Sequence, residues 1–107
     1  MDKMNFIIDC DKLQALCDKI TKESQARLIK ENLGCQCNLD NVVCHYKIAP
    51  KYTKIDDKTS GRYMIENSTG EIYGIKAYGV IHRGHYYGNL DTINNYNWGY
   101  YRAVKIG

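Results

Sequence analysis

With 107 residues the chain can bury one small core but not two. Apolar residues at 44% and charged residues at 25% suit a globular domain, and a formal charge of +3 is too slight for a protein that coats nucleic acid. Composition therefore excludes a multidomain enzyme, a coiled-coil rod and a membrane-spanning chain. Near the start, Phe6-Ile7-Ile8 is the only apolar run, far short of the ~7–15 residues of a secretory core. The expectation is a cytoplasmic protein with reduced cysteines and no membrane partner. Charge is uneven: residues 1–50 hold seven basic and seven acidic groups, so the whole excess lies in residues 51–107, with Trp98 and most of the ten tyrosines.

The first predicted element is a helix over about residues 11–33. Leu13, Leu16, Cys17, Ile20, Ser24 and Leu28 recur at spacings of three and four, one apolar stripe on a 3.6 period. Asp11 with Gln14 reads as a capping box, Asp9 is a competing cap, and Gly34 is positioned to turn left-handed at the end. From about residue 41 the period becomes two. Asn41–Ile48 reads as a strand ending at Pro50, and Lys51–Asp56 as its continuation or as an edge strand, because proline cannot donate to a central ladder. Arg62–Glu66 and Glu71–Tyr78 flank the polar turn Asn67-Ser68-Thr69-Gly70, which predicts a hairpin at the centre of the sheet. Val80–Gly88 reads as strand, turn and short strand, with Gly84 at the turn. Residues 89–95 read as an irregular or one-turn helical segment, and Tyr100–Ile106 as a terminal strand. The fold class is thus α+β in a single domain of residues 1–107: one long N-terminal helix on an antiparallel sheet of about four or five strands.

Cys35, Cys37, Cys44 and His45 are candidate zinc ligands, since thiolates and imidazole suit tetrahedral zinc. Their CxC spacing is poor for it, and neighbours on a strand point to opposite faces, so no cofactor is expected. His82 and His85, with Asp91 and Glu71 within reach in sequence, are candidate general acid and base for phosphodiester cleavage. The chain has no GxGxxG or GxxxxGK[ST] motif for a phosphate loop. Gly74 and Gly79, inside strand-like runs, suggest bulges or a close backbone approach. A contact surface of Arg83, Tyr86, Tyr87, Trp98, Tyr100, Tyr101 and Arg102 is expected in the basic, aromatic half, since Arg and aromatic rings anchor most interfaces.

The run from Lys51–Asp56 and Ser60–Ile65 through Thr69–His85, with Tyr87–Ile93 and Trp98-Gly99, resembles a family of short proteins encoded by phages and mobile elements. The resemblance covers the C-terminal half and carries no assigned chemistry. It implies a non-enzymatic inhibitor that binds a bacterial defence protein or nucleoprotein complex, such as a CRISPR effector, in the infected cell. RNA or nucleotide binding, including sequestration of a signalling nucleotide, is the alternative. A metal-independent ribonuclease is the third reading.

Overall fold

In the computed structural model, which describes residues 9–58, 60–99 and 103–106, the apolar stripe forms helix α1 over Cys10–Lys30. Asp9 is the cap: its carboxylate accepts from the Asp11 and Lys12 N–H groups at 2.9 and 3.2 Å, quieting two of the orphan donors at the helix start. Gln14, expected to complete a capping box with Asp11, donates instead to Asp18 one turn on. The helix also ends before Gly34. Asn32 takes φ 62° while the Leu33 N–H reaches the Leu28 carbonyl at 2.8 Å and the Asn32 N–H that of Ile29, the double closure of a Schellman end. Asparagine is among the few residues with a side chain that tolerate this conformation. A second helix, α2 over Gln36–Asn41, escaped the sequence reading because six residues carry too little periodicity. Gln25 of α1 donates to the Leu39 carbonyl and ties the two together.

Five strands follow: β1 His45–Ile48, β2 Tyr52–Asp56, β3 Gly61–Glu66, β4 Glu71–Ala77 and β5 Val80–Asn89. They pair antiparallel in chain order, with β1 and β5 at the edges. The α+β expectation of one long helix and a five-stranded antiparallel sheet is met. Residues 52–56 are not an edge, however. Pro50 falls in the β1–β2 turn, so its missing N–H costs the ladder nothing and β2 lies inside the sheet. The β3–β4 hairpin forms as expected, with Glu66 opposite Glu71, Ile65 opposite Ile72 and Met64 opposite Tyr73. Its turn is anchored by buried Asn67, which accepts from the Thr53 hydroxyl and donates to the Ala49 carbonyl, each at 2.7 Å.

Strand alternation assigns the faces. Thr53, Ile55, Tyr63, Ile65, Ile72 and Tyr87 point inward, where Leu13, Leu16, Cys17 and Ile20 of α1 join them in one core. Each Leu or Ile buried there contributes about 1.5–3 kcal/mol. Beyond β5 a short 3-10 turn over Ile93–Asn95 leads to β6, Tyr96–Asn97, which pairs with β7, Val104–Lys105. The expected terminal strand is present in its second half, and Tyr100, Tyr101 and Arg102 lie outside the described residues. Among the described residues no helix is long and apolar enough to cross a membrane.

Candidate functional site

The chemistry-bearing residues converge on an irregularity in β5. Tyr73 stands opposite Tyr86 and Gly74 opposite His82, so one step along β4 answers to four along β5. Arg83, Gly84 and His85 are the surplus residues of a large bulge. The sequence reading made Gly84 a hairpin turn; it lies instead within a single continuous strand. A regular strand would put Arg83 and His85 on the same face. The bulge sends them to opposite ones.

Arg83 goes outward. Its guanidinium lies over the rings of Tyr73 and Tyr52, 5.2 and 5.9 Å from their centroids. It donates to the Tyr52 hydroxyl at 2.7 Å and pairs with Glu66 at 3.5 Å. This contact offsets the like-charge opposition of Glu66 and Glu71 across the hairpin. The Glu71 carboxylate accepts from the Tyr73 and Tyr86 hydroxyls at 3.1 and 3.4 Å. Burial first, and then that carboxylate, raises both phenols above their ordinary range, so they remain protonated donors. Tyr73 is covered by its neighbours, whereas Tyr86 is 48% exposed and Tyr78, at the β4–β5 turn, 59% exposed. Lys54 caps the Tyr78 ring at 4.8 Å. The outer face is therefore a preorganised array of tyrosines around one arginine. α1, Trp98 and the core lie on the other side of the sheet.

His85 goes inward and stacks on His82, the rings 4.0 Å apart and within 11° of parallel. Two close approaches make this possible. A Cβ on Gly74 would lie 2.9 Å from the His85 Cβ, and one on Gly84 would lie 2.9 Å from the His82 Cε1. Any side chain at either position would displace an imidazole. Beneath the stack opens a cleft of about 280 Å³, lined by Ser60, Arg62, Tyr63, Gly74, His85 and Tyr87 among others. Arg62 pairs with Asp57 at 3.2 Å, and both side chains are almost wholly buried. Buried Tyr63 has no properly aligned hydrogen bond at its hydroxyl, although the Arg62 guanidinium and the Ala103 N–H lie close to it. The Nδ1 of His82 is also buried and unpartnered.

Several expected site residues belong elsewhere. Trp98 is fully buried and Tyr87 is 8% exposed. Neither can serve as a contact residue: Trp98 packs edge-on against Tyr63 at 5.2 Å and Tyr87 against Tyr63 at 5.4 Å. The backbone N–H of Trp98 donates to Glu23 and its indole to the Ile93 carbonyl, which fixes it as the clamp between α1 and the tail. Arg83 and Tyr86 are exposed on the outer face, as a contact role requires. The zinc candidates separate because Cys44 turns into the core while His45 and the α2-side Cys35 and Cys37 face solvent. Among the described residues no three His, Cys, Asp or Glu side chains converge as metal ligands. Asp91 is engaged by Lys12 and Glu71 by the tyrosines, so neither attends the histidines. Rings stacked at 4.0 Å leave no gap for a phosphodiester between them. Sequence reasoning missed Tyr52, Tyr73 and Arg62; the alternation of Tyr73 with Ile72 was the signal for the outer face. Searches for relatives found no matching family model, no matching curated protein and no matching solved structure.

Proposed function

We propose that this is a binding protein of the phage and mobile-element type that inhibits a bacterial defence complex, such as a CRISPR effector, in the cytoplasm of the infected cell. The observation that carries the binding half is the outer sheet face: Tyr52 and Tyr73 against Arg83, Tyr86 bonded to Glu71 and Tyr78 under Lys54, held by hydrogen bonds and ring contacts before any partner arrives. Aromatic and arginine side chains that lose little entropy on docking are the usual anchors of interfaces. The anti-defence half rests on the resemblance of the C-terminal half to short phage proteins. Beside Glu66 and Glu71 the face holds Arg83, with Lys54 and Lys51 over its tyrosine rings, a mixed charge pattern that a protein surface complements better than a uniformly anionic nucleic-acid backbone.

The test is phage plating on strains carrying a defined CRISPR effector, with and without the protein. The expected result is restored plating with the native chain and its loss with the Arg83→Gln, Tyr86→Ala double variant, shown by circular dichroism to be folded at the plating temperature. No rescue in any defended strain would overturn the inhibitor reading. Rescue undiminished in the double variant would overturn the assignment of the face.

A further inference from the structure

α1 and the core back the inner side of the sheet, while the outer side meets water through its own side chains, with Tyr78 and Tyr86 exposed. We infer that this outer face also packs on the same face of a second copy, as a weak two-fold dimer that hides the docking surface when the protein is concentrated. Its consequence for function rests on the docking role proposed above; the contact itself does not. The cross-strand register shows why. Lys47 stands opposite Lys54, Lys54 opposite Met64, Met64 opposite Tyr73 and Tyr73 opposite Tyr86. This row crosses all five strands, cationic at the β1–β2 end and aromatic at the β4–β5 end, with Met64 of the central strand as its midpoint. Glu71 lies two residues from Tyr73 on the same face, and its carboxylate accepts from the Tyr73 and Tyr86 hydroxyls. The aromatic end is therefore the anionic end as well.

A row with opposite ends complements itself after a half-turn. A two-fold axis along β3 lays the Lys47 end of each copy over the Tyr86 and Glu71 end of the other, twice per dimer. The groups that meet are those the monomer leaves over. Among the described residues nothing pairs with the Lys47 ammonium, which is exposed on the edge strand and faces a like charge. No described cation pairs with Glu71 either: Arg83 goes to Glu66, and Lys54 to the Tyr78 ring. A carboxylate held between two phenols, beside an exposed ring, takes an ammonium both as an ion pair and over a π-face. Near the axis each Arg83 brings its own Glu66 with it, so the middle of the face is neutral. Five strands at a spacing of about 4.8 Å, and about five residues at roughly 3.3 Å each, give a flat patch of roughly 400 Å² per copy. Stable interfaces take about 800 Å² from each partner, so this dimer is weak.

The test is sedimentation velocity of the full chain up to about 1 mM, paired with amide NMR spectra of the native chain over the same dilution series. The expected result is a shift from monomer to dimer with a Kd between about 10 µM and 1 mM, and concentration-dependent amide shifts at Lys47, Glu71 and Tyr86 but not along α1. Lys47→Glu and Glu71→Lys should each weaken the dimer tenfold or more. Both should fold, because each removes a like-charge opposition, Lys47 with Lys54 or Glu66 with Glu71, and circular-dichroism melts check this. An equimolar mixture of the two variants should regain the native affinity, since each chain then carries the charge that the other lacks. The proposal is overturned by a monomer at every concentration, by native shifts confined to α1, by folded variants that dimerise as well as the native chain, or by a mixture no stronger than its components. No defence partner enters these measurements. A monomer that still rescues plating refutes the dimer alone, and a dimer that rescues no strain refutes the inhibitor reading alone.

Discussion

Replacing Trp98 with alanine separates a core clamp from a contact residue more sharply than any other single change. Trp98 is fully buried and touches Tyr63, Tyr87 and Tyr96, with ring centroids 5.2, 6.4 and 5.8 Å away. Truncating a buried Trp to Ala costs about 3–5 kcal/mol, because lost transfer energy and the residual cavity add. The indole bond to the Ile93 carbonyl accounts for roughly 0.5–1.5 kcal/mol of this, and the carbonyl would be left without its donor. A chain of this size has a total stability of about 5–15 kcal/mol, so the variant loses a large share of it. At roughly 4 °C or more per kcal/mol, the melting temperature should fall by about 12–20 °C at the least. Thermal and urea unfolding followed by circular dichroism measure this directly. A drop of only about 1–2 °C, equal to that of an exposed variant such as Tyr86→Ser, would show that Trp98 does not hold the tail to α1.

Three further outcomes follow from the helix cap and from the buried thiols and phenol. Asp9→Ala removes both side-chain bonds at the start of α1 and should cost about 1 kcal/mol in urea unfolding. Burial pushes the Cys17 and Tyr63 groups up to about 12 and Cys44 up to about 11. The unfolded chain therefore releases these protons first, so stability is intact below about pH 9 and falls as pH rises through 11–12; a urea midpoint that is flat from pH 8 to 11 would contradict the burial of these groups. At pH 8 a thiol reagent should label Cys10, Cys35 and Cys37 quickly and reach Cys17 and Cys44 only on unfolding.

The helix and the central hairpin were legible because their signals are periodic and local. The Leu13–Leu28 stripe predicted every buried residue of α1, and the polar turn between Glu66 and Glu71 fixed the hairpin register. The end of the helix was misjudged because Asn32, two residues earlier than Gly34, could already supply the left-handed turn. Trp98 and Tyr87 were misplaced for a different reason. In a stretch crowded with tyrosines, composition alone does not say which rings face in. For Tyr87 that depends on a strand register which the β5 bulge shifts by three residues, and for Trp98 on a tail that folds back onto α1. The same bulge hid the site, since His82-Arg83-Gly84-His85 has the composition of a turn.

That bulge explains how so small a sheet can carry two distinct surfaces. Without it, Arg83 and His85 would project from one face and His82 from the other, and no imidazole stack could form. With it, Arg83 completes the tyrosine array outside while His85 roofs the cleft inside. The arrangement has structural costs. Ladder pairing is interrupted over three residues, two glycines are committed to close contacts, and the His82 Nδ1 is left buried without a partner. A regular strand would bear none of these. A bulge that re-aims functional side chains is the usual reason for such an irregularity at a sheet edge. Here it re-aims an arginine and a histidine in opposite directions, one to the outer and one to the inner side of the same sheet.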